Sequence, residues 1–241
     1  VKLIIGSAGG AGARPHLDWT LDIINEISSE IKVPLRICEI AADISHELVS
    51  SKLNDNKLTP LSKAPPITKQ NIQQIPYIVA QMGHEPIISV LDEEFDIILC
   101  GRCYDPAIFS ALPIMKDYDP ALAIHLGKIL ECAAIAASPG SGSDCIIGHI
   151  FENYFILESL NNVRKFTPNS VAAHTLYEKS DPYHLPGPGG ILHTKNVQYT
   201  QLSDGRVKVS GGCFETVVPY TVKLEGVRSI GFRSISVAGI R

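Results

Sequence analysis

Short apolar runs alternate with segments of helical periodicity along the first half of this 241-residue chain. The runs that predict strands cover residues 1–5, 35–40, 77–81 and 95–100. The amphipathic segments that predict helices cover residues 16–30, 45–53 and 85–91. Strands that alternate with helices are typical of βαβ units, whose strands run parallel in one sheet. The first half is therefore predicted to be α/β, with a Rossmann-like parallel sheet and flanking helices.

Capping residues and prolines mark where further helices of this half begin. Asp105 and Asp119 each precede a proline, and aspartate at the N-cap with proline at the first helical position favours a helix start. The second pair opens a long predicted helix over residues 121–137. Ser45 is predicted to cap an earlier helix, and the polar, proline-bearing stretch 54–74 is predicted to be a loop or a lid.

The composition changes at the sequence SPGSGS, residues 138–143, and strand-like runs dominate beyond it. These runs cover residues 145–150, 154–157, 197–202, 207–209, 220–224 and 229–237. The turn SDGR at 203–206 is a hairpin signal, and Thr167 is predicted to cap a helix over 168–179. The second half is therefore predicted to be α+β with antiparallel strands.

The ends of the chain bear on how much of the protein this sequence represents. The chain opens without methionine inside the strand-like run 1–5 and stops inside another at 235–240. We therefore expect a fragment of a longer polypeptide, with a parallel α/β domain at 1–137 and an α+β domain at 145–241.

Composition argues against several classes of function. A net charge of −4 without a basic block gives no electrostatic footprint for nucleic acid, so small molecules or proteins are the expected partners, including further copies of this chain. No apolar run reaches the roughly 18 residues of a membrane span, and no signal-peptide pattern opens the chain. The six cysteines are scattered and are expected to be reduced thiols, which favours a cytoplasmic protein.

The first candidate site is the sequence CGRCYDP at residues 100–106, which follows a predicted strand. Ligands of open α/β sheets bind beyond the carboxyl ends of the strands. Arg102 can hold a carboxylate or phosphate with two parallel hydrogen bonds, so we expect it to bind substrate, unless it pairs with Asp105. Asp105 is itself a substrate-binding candidate whose alternative role is a helix cap.

The second candidate site lies on the predicted helix 121–137. Because each helical residue turns by about 100°, His125, Lys128 and Cys132 fall within about 60° of one another on one face. Histidine is the usual acid–base group near neutral pH, lysine stabilises negative charge, and a thiol beside cations ionises to a nucleophile. The alternative is that His125 and Cys132 are packed core groups and that Lys128 pairs with Glu131.

A glycine-rich loop, GSAGGAG at residues 6–12, follows the first predicted strand and precedes a helix. In such a turn the backbone N–H groups near Gly9 and Gly10 can bind an anion, and a tight turn without a ligand is the alternative. Its spacing fits neither the dinucleotide fingerprint nor a Walker loop, which argues against nucleotide hydrolysis.

A further polar group lies in the second half, where His174 and Glu178 are four residues apart on a predicted helix. Such a pair more often forms an ordinary hydrogen bond than a metal site, and one C-x-x-C without a second pair supports zinc weakly, so no metal is predicted. His174 stays a candidate catalytic residue. The run PGPGG at 186–190 is predicted to be a rigid loop that places Gly189 and Gly190 at the substrate, or else a plain connector.

The segments that carry these candidates resemble a known family. They are GR and YDPA within residues 101–107, HLGKILEC at 125–132, TPNSVAAHTLYEKSDPY at 167–183 and LPGPGG at 185–190. Together they closely resemble the acyclic terpene utilisation (AtuA-like) family over essentially the whole chain. The resemblance implies a longer protein with a catabolic role in which intermediates are acyl-CoA thioesters, and it identifies no cofactor.

The leading functional hypothesis is a metabolic enzyme that acts on a small carboxylate or acyl-CoA thioester by lyase or hydratase-type chemistry. Arg102 and Lys128 would bind the anionic group, His125 would move the proton, and the segment 174–190 would close the pocket. The alternative is a non-catalytic ligand-binding protein, or a subunit that needs a partner. A thiol-dependent transferase that uses Cys132 is a third, weaker hypothesis.

Overall fold

A computed structural model describes residues 2–62 and 64–235 of the chain. Its helices are α1 (Arg14–Ile31), α2 (His46–Asn54), α3 (Lys69–Gln74), α4 (Glu85–Ile88), α5 (Ala107–Met115), α6 (Pro120–Leu130) and α7 (Pro168–Thr175). Its strands are β1 (Leu3–Ile5), β2 (Ile37–Ile40), β3 (Ile78–Ala80), β4 (Ile97–Cys100), β5 (Ile146–Ile150), β6 (Phe155–Ser159), β7 (His184–Gly187), β8 (Gly190–His193), β9 (Gln198–Gln201), β10 (Val207–Ser210), β11 (Cys213–Thr216) and β12 (Leu224–Gly226).

A parallel three-stranded sheet in the order β1-β4-β2 forms the centre of the first half. The central strand β4 is buried along its whole length, as expected for a parallel strand that is covered on both faces. Successive residues of a strand point to opposite faces, and here Leu99 packs with Leu17 of α1 while Ile98 packs with Ala111 of α5. The α/β prediction for this half is confirmed.

Strand β3 lies in a different sheet from the one predicted for it. It pairs antiparallel with β12, and its other edge faces the segment after β2, where Ala80 N donates to Ala42 O at 2.9 Å. A parallel bridge between Met82 and Cys103 links its end to the end of β4. The apolar pattern indicated correctly that this segment is an extended, buried strand, but it held no information on which strand is its neighbour.

The second half contains antiparallel sheets, which confirms the α+β prediction. One sheet has the order β5-β6-β10-β9 and another has the order β11-β8-β7. The turn at 203–206 joins β9 to β10 as the predicted hairpin. Thr167 caps α7 as predicted, but the helix ends at Thr175 rather than at residue 179.

Helix α6 is buried on every side, and it shares its core with the second half. Leu126 packs in one cluster with Phe155 of β6, and Ile124 packs in another with Leu185 of β7. The expected division into domains at 1–137 and 145–241 stays a prediction, with α6 packed against strands from beyond that boundary.

Two further predictions, one about the extent of a helix and one about a loop, are wrong. The helix expected over 121–137 ends at Leu130, because the backbone then leaves the helical region and Ala133 takes a φ of 49° before a short 3-10 turn, Ala133–Ala136. The expected loop 54–74 contains α3, which begins with a capping box between Thr68 and Asn71.

Two predictions about the later strands and loops are also wrong. The run 186–190 is the tip of a hairpin, since β7 ends at Gly187 and β8 begins at Gly190. Residues 220–223 and 229–235 are not strands, and the rest of the predicted run 229–237 lies outside the described residues. Within the described ranges, none of the helices combines the length and apolar character that a membrane crossing requires.

Candidate functional site

Arg102 lies just past the carboxyl end of β4, where the sequence placed it, and its guanidinium is already occupied by two carboxylates. Its Nε donates to Glu225 at 2.7 Å and its Nη1 donates to Asp105 at 2.9 Å. A third hydrogen bond, at 2.8 Å, runs from Nη1 to the hydroxyl of Ser7. Burial alone would lower the pKa of Arg102, but Glu225 and Asp105 outweigh it and raise the pKa. Arg102 therefore tethers β12 to the loop after β4, and a ligand would have to replace one of these carboxylates.

The glycine-rich loop is closed by contacts within the protein. Gly12 lies against the backbone of Arg102. The Arg102 N–H donates a hydrogen bond to the Gly12 carbonyl at 3.0 Å. Asp43 accepts a hydrogen bond from the Arg14 N–H at the start of α1, at 3.0 Å. The carboxylate of Asp43 thus lies next to the loop in which the sequence predicts that backbone N–H groups could bind an anion. Gly9 and Gly10 have φ values of 61° and 92°, so the loop needs glycine for its conformation. The structure therefore supplies a physical reason for these glycines that involves no ligand.

His125 is enclosed in the core between α6 and the antiparallel sheet. Its side chain is 1% exposed, and its Nε2 lies 2.9 Å from the hydroxyl of Thr175. The ring also packs edge-on against Phe155 and Tyr199. Burial lowers its pKa to about 4, so His125 is neutral at neutral pH. These contacts match the packed-core interpretation.

Lys128 and Glu131 form an ion pair that is shielded from solvent. Their side chains are 3% and 10% exposed, which is uncommon for charged residues unless they are paired. Burial raises the pKa of Glu131, and the hydrogen bond from Lys128 opposes that shift. Lys128 also lies over the ring of Tyr177, with Nζ 5.6 Å from the ring centroid. The sequence allowed a surface pair between Lys128 and Glu131, and the structure shows a buried one.

Cys132 lies beyond the end of α6, so helix geometry no longer places it on the face of Lys128. Burial raises the pKa of its thiol, as does the nearby charge of Glu131, whereas the charge of Lys128 lowers it. A thiol whose pKa is raised holds little thiolate at neutral pH. The setting of Cys132 thus lacks the electropositive character of a nucleophilic cysteine.

His174 approaches the same cluster from the end of α7. Its side chain is 5% exposed, its ring stacks on Tyr177 with 5.5 Å between centroids, and its Nε2 is buried without a hydrogen-bond partner among the described residues. Burial and the nearby charge of Lys128 both lower its pKa. Buried polar atoms in proteins almost always have a partner, so this nitrogen is available to a water or a ligand. Tyr177 is about half exposed, which opens the cluster to solvent.

A second lysine, Lys179, lies close enough to Lys128 to feel its charge. The Nζ of Lys179 lies 5.5 Å from the centroid of Tyr104, a residue of the loop after β4. Burial lowers the pKa of Lys179, and the charge of Lys128 adds to that effect. Burial raises the pKa of Tyr104, as do the charges of Glu131 and Asp105. Residues from α6, the α7 end and the β4 loop therefore converge around two aromatic rings.

The remaining predicted glycines pack against this region from the β7–β8 hairpin. A Cβ on Gly187 would approach the Tyr104 ring to 3.0 Å, and one on Gly189 would approach Tyr220 to 2.6 Å. Gly190 lies against the Glu215 carbonyl, where a Cβ would come within 2.4 Å. The hairpin therefore forms a wall beside Tyr104, and the two predicted glycines contact protein groups there.

A family model described as the acyclic terpene utilisation family protein AtuA matches residues 3–141, which are more than half of the chain. The chain belongs to the AtuA family. This confirms the family that the motifs within residues 101–132 indicate, whereas the motifs at 167–190 lie beyond the matched residues. Neither a curated protein nor a solved structure matches the chain.

The family match covers one part of the site in this AtuA chain. Arg102, Lys128 and Cys132 lie inside the matched residues, whereas His174 and Lys179 lie beyond them. In the part of the chain that the structure describes, no group of three or more His, Cys, Asp and Glu side chains is arranged to hold a metal ion.

Sequence reasoning missed three residues of the cluster in this AtuA chain, Tyr104, Tyr177 and Lys179. All three lie in the segments that carry the family resemblance, at 101–107 and 167–183. That position was the available signal, but helix spacing drew attention to histidine, lysine and cysteine on α6 instead. The aromatic rings matter because Lys128 and His174 both meet the ring of Tyr177, and Lys179 meets the ring of Tyr104.

Proposed function

We propose that this AtuA-family chain is an enzyme that acts on a small carboxylate or acyl-CoA thioester by acid–base chemistry of the lyase or hydratase type. The observation that carries the proposal is the pair formed by Lys128 and His174 at the ring of Tyr177. One is a buried cation, and the other is a buried histidine whose Nε2 has no partner among the described residues. Buried titratable groups with a perturbed pKa cluster at functional sites, which supports the proposal.

The roles of the two residues follow from their surroundings. Burial and Lys128 lower the pKa of His174, so its imidazole is neutral at neutral pH and accepts a proton. Removal of a proton next to a carbonyl leaves negative charge on the carbonyl oxygen. A fixed ammonium such as that of Lys128 stabilises this charge, more strongly in a buried site than in water.

The residues first assigned to these roles have different surroundings. His125 is enclosed and already bonded to Thr175, so the proposal gives the proton transfer to His174. Arg102 is held by two carboxylates, Glu225 and Asp105, whereas Lys128 has one, Glu131, so the proposal gives the substrate charge to Lys128. Arg102 then orders the loop that carries Tyr104.

Turnover of branched enoyl-CoA thioesters and hydroxy acids tests the proposal. His174→Gln keeps the size and polarity of the side chain but cannot act as a base near neutral pH, so we expect a loss of about 10²- to 10⁴-fold in kcat/KM. His149→Gln is the matched control, because His149 lies on the surface and pairs with Glu158. Equal turnover by the wild type and His174→Gln would sink the proposal.

Ligand binding without turnover is the outcome that would instead support the second hypothesis, a ligand-binding protein or a subunit. Calorimetry with the same thioesters and acids measures this directly. Binding that is weakened in Lys128→Met, once unfolding curves show that this variant is folded, together with no turnover, would show that the cluster is a binding site without catalytic function.

A further inference from the structure

Lys179 differs from Lys128 in the environment of its ammonium group. Lys128 pairs with Glu131, whereas Lys179 forms neither an ion pair nor a hydrogen bond with any of the described residues. It is half-buried and lies over the ring of Tyr104, in the segment that follows α7. A half-buried lysine without a carboxylate partner is unusual, because burial of an unpaired charge is costly.

The charged groups that face Lys179 come from several elements. Lys128 and Glu131 face it from α6, Glu178 from its own segment, and Lys223 from the residues before β12. Burial lowers its pKa, the cations Lys128 and Lys223 lower it further, and the carboxylates of Glu131 and Glu178 oppose this. A lysine that is desolvated and adjacent to another cation is the arrangement that activates an amine as a nucleophile.

We propose that Lys179 forms a Schiff base with the carbonyl group of a keto carboxylate. The carbonyl carbon of that substrate would face the Lys179 amine beside the ring of Tyr104, and its carboxylate would face Lys128 beside the ring of Tyr177. The inference deepens the proposed function and rests on it, because it assigns a substrate class and a covalent step to the same site.

The covalent step balances without any further reagent. The free amine attacks the carbonyl carbon, a C–N bond forms, and a proton passes from nitrogen to oxygen to give a carbinolamine. Loss of the hydroxyl group as water breaks the C–O bond and leaves the imine. The protonated imine then accepts the electron pair that is released when His174 removes a proton from the adjacent carbon, or when a β-keto acid loses carbon dioxide. Reprotonation of that carbon and addition of water release the product and return the Lys179 amine.

Reductive trapping on the full chain tests the inference. The protein is incubated with acetoacetate or with pyruvate, reduced with borohydride, digested and analysed by mass spectrometry. We expect the reduced adduct on the peptide that carries Lys179, and loss of that adduct in Lys179→Arg. Lys195, which is exposed, is the internal control in the same digest and should carry less adduct.

The two probes distinguish the position of the carbonyl group. An adduct with acetoacetate alone identifies a β-keto acid, and an adduct with pyruvate alone identifies an α-keto acid. Adducts on Lys179 and Lys195 to the same extent, or no adduct on Lys179 with either probe, would overturn the inference.

A substitution that removes the charge of Lys128 gives a second test. In Lys128→Met the neighbouring cation is gone, so the pH at which half of Lys179 is trapped should move upward, once unfolding curves show that the variant is folded. Where this variant does not fold, Lys223→Gln removes another facing cation and should move the midpoint in the same direction. An unchanged midpoint in the folded variant contradicts the proposed environment of Lys179.

The two proposals fail separately. Trapping of Lys179 without turnover of any thioester or hydroxy acid would support the Schiff base and contradict the proposed acid–base function. Turnover that depends on His174, with no adduct on Lys179, would support the proposed function and contradict the Schiff base.

Discussion

The Nε2 atom of His125 donates a hydrogen bond to the hydroxyl of Thr175, at 2.9 Å. The direction follows from the other bonds of that hydroxyl, which gives its one proton to the Val171 carbonyl at 3.0 Å and accepts a hydrogen bond from Tyr199 at 3.1 Å. Nε2 must therefore carry a proton, and the imidazole joins α6 to α7 inside the core.

This contact predicts a dependence of stability on pH. The pKa of His125 is about 4 in the folded protein and 6.5 without burial, so the unfolded chain takes up a proton first as the pH falls. The contribution of neutral His125 is complete above pH 6.5 and is lost progressively towards pH 4, by on the order of 3 kcal/mol in all. Urea unfolding at pH 7 and at pH 5 measures the loss.

His125→Gln is the control, because glutamine bonds to Thr175 without titrating. We expect the wild type to lose more stability than this variant between the two pH values. Parallel losses in the two proteins would show that His125 is not the titrating group.

His125 also shows where prediction from the sequence stops. Helix spacing placed His125 and Lys128 correctly on one helix, and it left the catalytic and the packed-core interpretations open. The choice depends on what covers each side of α6, and that cover comes from β6 and α7, which lie far along the chain. Elements and their order followed from local apolar patterns, whereas the environment of each side chain depended on long-range packing.

The buried pair of Lys128 and Glu131 predicts a strong coupling. Lys128→Met leaves an unpaired carboxylate with 10% exposure, and Glu131→Leu leaves an unpaired ammonium with 3% exposure, so each change should cost about 3–5 kcal/mol of unfolding free energy. In Lys128→Met/Glu131→Leu neither charge is left unpaired. The loss of unfolding free energy in this double variant should therefore be well below the sum of the losses in the two single variants. Urea unfolding of the four proteins gives the coupling directly, and additive costs within about 0.5 kcal/mol would contradict a coupled pair.

The partners of Arg102 illustrate the same limit on prediction. The sequence indicates Asp105, three residues away, as a possible partner, and the structure confirms that pair. Glu225 lies 123 residues away in a strand whose position no local pattern revealed. An arginine that follows a strand has the same local sequence whether its guanidinium binds a substrate or a distant carboxylate.

Arg102 is therefore expected to hold β12 in place. Arg102→Lys keeps the charge but loses the fork that reaches Glu225 and Asp105 together, so we expect a loss of about 1–3 kcal/mol of stability. Faster amide hydrogen exchange in Leu224–Gly226 should accompany it. Arg206→Lys is the control, because that side chain is 37% exposed and lies 4.0 Å from Glu158. Unchanged exchange in β12 would show that Arg102 does not tether that strand.

Two glycines of the loop at 6–12 provide a matched comparison of backbone strain and close packing. Both have positive φ, 92° at Gly10 and 62° at Gly12, so alanine is strained at either position and should cost about 1–2 kcal/mol for that reason. A Cβ at Gly10 meets nothing within 4 Å, whereas a Cβ at Gly12 would lie 2.2 Å from the backbone nitrogen of Arg102.

Gly10→Ala should therefore fold with a small loss of stability, and Gly12→Ala should lose more than about 4 kcal/mol, because the backbone at the end of β4 must move. Urea unfolding, with soluble yield where Gly12→Ala does not fold, measures both. Equal losses in the two variants would mean that strain alone accounts for both glycines and that the contact with Arg102 contributes nothing.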